Sequence, residues 1–144
     1  MNDCSIREAQ LIDAPAIARL VTQLGYPTSS AEMEMRLQIF LARADYITLV
    51  AEVSGDVVAL VGAYLAYGLE LTGTYGRLTG LVVDEPWRGR GIGKLLMEHL
   101  EQRLKKKGVM LLILTSGKHR TESHHFYKKL GYEETGIRFL KRLS

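Results

Sequence analysis

The sequence predicts one mixed α/β domain, and three observations predict it. An apolar run, Leu81-Val82-Val83, passes through a basic, glycine-rich turn into an amphipathic helix, which makes a strand–turn–helix unit. Upstream, Ser54-Gly55-Asp56 and Thr72-Gly73-Thr74-Tyr75-Gly76 each join two apolar runs, as hairpin turns do. Downstream, Met110 to Thr115 has almost no polar residue, which suits a parallel strand covered on both faces. Antiparallel hairpins therefore come first and a βαβ crossover follows, in one sheet of about seven strands with about four helices.

Each element has its own warrant. Cys4 to Glu8 reads as a short first strand. Asp13 is a helix N-cap candidate with Pro15 in the first turn, and Ile17, Leu20, Val21 and Leu24 recur at helical spacing up to Gly25. Tyr26-Pro27 turns the chain. Ser29 with Glu32 forms a capping box for a second helix, whose buried stripe is Met33, Leu37, Phe40, Leu41 and Ala44; Asp45 breaks it. Strands follow at Tyr46 to Val53, Val57 to about Leu71, and Arg77 to Val83. The long helix runs from Ile92 to about Lys107, with Gly108 as its stop signal. Thr121 to Leu130 is a short helix capped by Gly131. Tyr132 to Glu134 and Ile137 to Leu143 supply two closing strands. The order is β-α-α-β-β-β-α-β-α-β-β, in a single domain from residue 4 to 144.

Composition narrows the function. The chain has 144 residues, 24% of them charged and 47% apolar, as in a globular protein able to bury a full core. No apolar run approaches the ~20 residues of a membrane span. The N-terminus has no signal-peptide pattern and Cys4 is the only cysteine, so a cytoplasmic location is expected. A net charge of +3 lacks the strong basic bias and base-stacking aromatics of nucleic-acid binders. No His, Asp or Glu set has zinc-like spacing, and adjacent His124 and His125 point apart on a helix, so no metal is expected.

The turn after Val83 is an anion site. The first N–H groups of a helix have no intrahelical partner, and the helix dipole is positive there. Gly89, Gly91 and Gly93 let a bulky anion approach the backbone, and Arg88, Arg90 and Lys94 add charge; a phosphate or pyrophosphate is the natural guest. Two familiar phosphate patterns fail. The P-loop needs Gly-Lys-Ser/Thr, but Lys94 precedes Leu95, and its first glycine would fall at Arg88. The dinucleotide pattern would need a small residue where Lys94 or Leu96 stands.

What fits is Arg-x-x-Gly-x-Gly at Arg88, Gly91 and Gly93, which resembles the acetyl-CoA pyrophosphate loop of the GNAT superfamily of N-acetyltransferases. The element order resembles that fold along the whole chain. A second segment does too: Phe126-Tyr127 on a short helix, then Leu130-Gly131-Tyr132, is similar to the GNAT segment that closes the cofactor site. Many members carry Asn where this chain has Arg120, a residue able to pair with a cofactor phosphate.

The resemblance implies direct transfer of acetyl from acetyl-CoA to a primary amine of a small molecule, peptide or protein, with no acyl-enzyme. It implies that the central strand splays from its parallel neighbour, so that Leu81, Val82 and Val83 bond the pantetheine arm like an added strand. An N–H at Val82 or a neighbour would polarise the thioester carbonyl. The run Arg88, Gly89, Arg90, Gly91, Ile92, Gly93 and Lys94 would hold the pyrophosphate. Tyr127 is the candidate general acid for the departing thiolate; its other reading is a packed aromatic. The base is left unassigned. Members with an acidic base carry it on the central strand where this chain has Arg77, and Glu70, His119 or a water chain are substitutes. Tyr26, Tyr64, Tyr67 and Glu70 are candidates for the acceptor groove, and Trp87 is expected to pack at the base of the turn. A homodimer is compatible with the fold. The alternative from another class is a non-catalytic acyl-CoA-binding sensor, which binds without turnover.

Overall fold

The computed structural model describes residues 3–117 and 120–144. The chain divides into two compact units, Met1–Ile113 and Leu114–Ser144.

The first unit carries the sheet. Its elements are β1 (Cys4–Glu8), α1 (Ala14–Leu24), α2 (Ser30–Leu41), β2 (Tyr46–Val53), β3 (Asp56–Tyr67), β4 (Thr74–Val83), α3 (Ile92–Lys106) and β5 (Leu112–Ile113). The strands lie in the order β1-β2-β3-β4-β5; all neighbours are antiparallel except β4 and β5, which are parallel. The mixed sheet and the crossover through α3 are as the sequence predicts. Ser54 and Gly55 both have positive φ, 51° and 85°, the two-residue turn whose twist matches the strands it joins.

Local chemistry sets the helix ends. The α2 capping box is present, with the Ser29 hydroxyl accepting from the Glu32 N–H and the Glu32 carboxylate accepting from the Ser29 N–H. The C-cap Gly25 of α1 sits at φ 116°. Asp13 does not cap α1 through its side chain. Its carboxylate instead accepts from the Gln10 N–H and from both terminal nitrogens of Arg7, at 2.8 to 2.9 Å.

Helices cover both faces of the sheet. Ile17 and Leu20 of α1 and Met33 and Leu37 of α2 pack with Val50, Leu60 and Val82. On the other face α3 buries Ile92, Leu96, Met97, Leu100 and Leu104. The expected α2 stripe is only partly buried: Met33 and Leu37 are inside, while Leu41 and Ala44 are exposed.

The Arg7–Asp13 pair is the main buried ion pair, with Asp13 6% exposed. The hydrogen bond from Arg7 holds the Asp13 carboxyl below its ordinary 3.8, against burial, which would raise it. A depressed folded value means that the pair stabilises above the unfolded value of 3.8 and that this contribution is lost as pH falls through the folded one. Asp13→Asn is expected to cost about 2–3 kcal/mol in denaturant unfolding at neutral pH, because Arg7 is left half-buried without its main partner. The deficit should shrink as pH falls from 3.8 through the lower folded value, where the wild type also loses the charge. A cost under ~0.5 kcal/mol at neutral pH would contradict this.

Two expectations are corrected. Among the described residues strands number five, not about seven. Tyr132 to Glu134 and Ile137 to Leu143 form no strand; Ile137, Phe139 and Leu143 are 71%, 91% and 91% exposed, so neither a ladder nor burial holds them extended. The parallel strand is also two residues long rather than Met110 to Thr115, and is not covered on both faces, since Met110 and Leu111 are exposed. Within the second unit, α4 (Thr121–Lys129) is as expected, with Gly131 beyond it at φ 94°.

Candidate active site

In the first unit the site is built on one edge of β4. β5 pairs with β4 only at Gly76 and Arg77, so no strand among the described residues pairs with β4 on that side from Leu78 to Val83. Against β3, Gly80 pairs with Gly62 and Leu78 with Ala63, which leaves Thr79 as a bulged extra residue. The bulge reverses which residues face the open edge. Before it, the Gly76 N–H donates toward β5, to Leu111 O at 2.8 Å. After it, the Asp84 N–H donates to Val58 O of β3 at 2.8 Å, so by alternation Val82 also faces β3. The open edge therefore presents the backbone groups of Leu81 and Val83, the neighbours of Val82. The Val83 carbonyl already accepts from Arg88 Nε at 2.8 Å, leaving the Leu81 N–H and C=O and the Val83 N–H.

That edge runs directly into the turn. Gly89 and Gly91 have φ of 76° and 83°, and a Cβ on either would meet nothing within 4 Å. Gly91 is the N-cap of α3 and has no side chain to satisfy the N–H groups of the first turn. Arg88, Gly89, Arg90, Gly91 and Lys94 are exposed, Gly93 is half-buried, and Ile92 is buried and anchors the helix start. Arg90 lies over the Trp87 ring at 4.7 Å, so Trp87 does pack at the base of the turn. Asp84 ties the strand end to α1, accepting from Arg19 at 2.6 Å and from Gln23 at 2.7 Å, while Gln23 Oε1 accepts from the Glu85 N–H. Burial alone would raise the Asp84 carboxyl, but the hydrogen bonds from Gln23 and Arg19 hold it below the usual range.

On the α1–α2 face of the sheet, beside this edge, Gly62 pairs with Gly80. Neighbouring side chains cover both: a Cβ on Gly62 would sit 2.6 Å from Thr79 Oγ1, and one on Gly80 would sit 3.6 Å from Leu24 Cδ2. One residue pair further down, Tyr46, Tyr64 and Arg77 stand in a cross-strand row on the same face. Phe40 of α2 stacks on Tyr46 at 5.0 Å, and Tyr46 meets Tyr64 at 5.5 Å. Of the predicted acceptor residues, Tyr64 is in this row. Tyr26 and Tyr67 are 61% and 83% exposed, and Glu70 is exposed and folded against Gly68.

The second unit holds the other predicted residues. Tyr127 on α4 is half-buried, edge-on to Phe126 at 5.2 Å and to Tyr132 at 5.7 Å. Burial pushes its phenol up to about 12, with Arg120 pulling the other way. Arg120 is the N-cap residue of the same helix. His119 lies outside the described residues. Cys4 is half-buried in β1 with its thiol raised by burial, which suits packing rather than nucleophilic chemistry. The described residues contain no group of three or more His, Cys, Asp or Glu able to hold a metal, and no helix long and apolar enough to cross a membrane.

Sequence reasoning missed Tyr46, Thr79 and the Arg19–Gln23–Asp84 network. Only the bulge left a signal, a glycine inside a strand at Gly80.

Known proteins resemble this chain along most of its length. Residues 15–132 match the family model described as Acetyltransferase (GNAT) family. An aminoalkylphosphonate N-acetyltransferase of Salmonella typhimurium is 27% identical over 99% of this chain and 94% of its own length. An IAA acetyltransferase of Azospirillum brasilense is 31% identical over 90% of this chain and 84% of its own. The crystal structure of glucosamine-6-phosphate N-acetyltransferase from Arabidopsis thaliana superposes with a TM-score of 0.82 at 26% identity, covering 98% of this chain and 99% of that one.

Proposed function

The chain belongs to the acetyltransferase (GNAT) family and is an acyltransferase; on that premise we propose that it transfers the acetyl group of acetyl-CoA directly to a primary amine, without an acyl-enzyme. The family uses acetyl-CoA. The observation that carries the reading is the continuity of the open β4 edge, from Leu81 to Val83, with the glycine turn that starts α3. An extended amide-bearing arm suits the first, and a pyrophosphate suits the second.

Bound acetyl-CoA supplies an already activated thioester. The residues of this chain hold and polarise it. The Leu81 N–H and C=O and the Val83 N–H bond the arm as a strand would. One of those two N–H groups faces the thioester carbonyl and stabilises charge developing on its oxygen. Backbone N–H groups of the turn take the pyrophosphate, with Arg88, Arg90 and Lys94 adding charge. The Tyr127 phenol gives its proton to the leaving thiolate; burial keeps that proton in place at neutral pH. Arg120 pairs with a cofactor phosphate. The acceptor amine would approach from the α1–α2 face beside the open edge, and alignment with the thioester can contribute ~7–11 kcal/mol to the rate. Two relatives' names, aminoalkylphosphonate and glucosamine 6-phosphate acetyltransferase, support a small amine as acceptor.

Calorimetric titration with acetyl-CoA tests the binding half of the reading. One site per chain is expected, weakened roughly 5- to 10-fold by Arg90→Ala or Lys94→Ala, since both groups are exposed and partly screened. No binding by the wild type would overturn it.

A further inference from the structure

Beside the open edge of β4 stands a cation with no partner among the described residues. Arg77 is half-buried on β4, in the row with Tyr46 and Tyr64, and it makes no ion pair or hydrogen bond among the described residues. Asp45, which precedes Tyr46 in the chain, is already committed: it pairs with Arg43 at 2.8 Å, and Arg43 in turn lies over the Tyr46 ring at 5.6 Å. Glu70 is turned back on Gly68. The contrast with the polar cleft beside the start of α1 is instructive. That cleft also contains two arginines, but Arg7 is paired with Asp13 and Glu52, and Arg19 with Asp84.

A guanidinium cannot serve as a base, because it stays protonated. Half-buried and unpaired, it has lost part of its hydration and gained nothing in exchange. A bound anion would restore that interaction, and the planar fork suits an oxyanion taken two-pronged. Arg77 is four residues from Leu81 along β4, a span of about 12 Å, and the exposed Thr79 stands between them. An amine joined to an acidic group by a short linker spans part of that distance, with its nitrogen toward the Leu81 edge.

We propose that Arg77 is a specificity-determining residue, and that the acceptor is a small amine carrying an anionic group, a phosphonate, phosphate or carboxylate, which Arg77 binds. This rests on the acetyl-transfer reading above. A second amine on the acceptor would be repelled, so diamines and polyamines are poor substrates.

The test follows CoA thiol release with four acceptors of matched length: an aminopropylphosphonate, an aminobutyrate, butylamine and diaminobutane. The better of the two acids is expected to exceed butylamine in kcat/KM by about 10- to 100-fold, mostly through KM, and diaminobutane is expected to be the poorest. Arg77→Gln should bring the acid-to-butylamine ratio close to one, and Arg77→Lys should keep part of the preference, since it keeps the charge and loses the fork. Butylamine or diaminobutane matching the acids would overturn the proposal, as would a preference that survives in Arg77→Gln. The wild-type series decides by itself should a variant fail to fold. Failure of the underlying reading is separate: the wild type would then show no heat of acetyl-CoA binding, or no amine-dependent thiol release from any acceptor class.

Discussion

Gly91→Glu is expected to abolish measurable acetyl-CoA binding, an affinity loss of 100-fold or more, about 3 kcal/mol. Gly91 is the N-cap of α3 at φ 83°, and a Cβ there meets nothing within 4 Å. The substitution therefore does not clash. Its structural cost is the left-handed backbone, about 1–2 kcal/mol, partly offset because a carboxylate at a helix N-terminus is favoured by the dipole. The protein should fold, with a transition lowered by a few degrees. What it loses is the anion site: the carboxylate sits where the turn's N–H groups would meet the pyrophosphate and repels it. Gly91→Ala separates the two effects, since it carries the strain without the charge, and should weaken binding less than ~10-fold. Wild-type affinity in Gly91→Glu would remove the turn from the cofactor site.

Tyr127→Phe is expected to lower kcat by roughly 100- to 10,000-fold with little change in acetyl-CoA affinity, the range typical of a lost general acid. The substitution keeps the edge-on ring contacts with Phe126 and Tyr132 and removes only the hydroxyl. Burial raises the phenol to about 12, so it keeps a proton to give throughout the neutral range. A raised value means that ionisation, and with it loss of the acid, begins only well above neutrality. kcat in the wild type should therefore not fall between about pH 7 and pH 10, and should rise wherever deprotonation of the amine limits the rate. An unchanged kcat in the variant would leave Tyr127 as a packed aromatic.

Much of the site-bearing half of the first unit was legible, because its signals are local. The Ser29–Glu32 box, the Ser54-Gly55 turn, the β2 limits and the strand–turn–helix at Val83 each depend on residues within a few positions of one another. The edge geometry was not legible in the same way. Which of Leu81, Val82 and Val83 turns outward depends on the bulge at Thr79, and a bulge exists only relative to the partner strand. Arg77 could be read as the loss of a base but not as a cation in a row with two tyrosines, since that requires the Tyr46–Tyr64–Arg77 register. The missing closing strands teach the converse. Ile137, Phe139 and Leu143 have the composition of a strand, but β-propensity expresses packing against neighbours, and these side chains are exposed.

The most direct measurement is product formation: wild-type protein, acetyl-CoA and a primary amine, with CoA thiol release followed alongside detection of the acetylated amine. Expected is thiol release that depends on the amine, stoichiometric with N-acetylated product, and lost in Gly91→Glu. Saturable acetyl-CoA binding with no amine-dependent release from any acceptor class, small acidic amine, peptide N-terminus or lysine, would contradict acetyl transfer and leave a protein that binds the cofactor without turning it over.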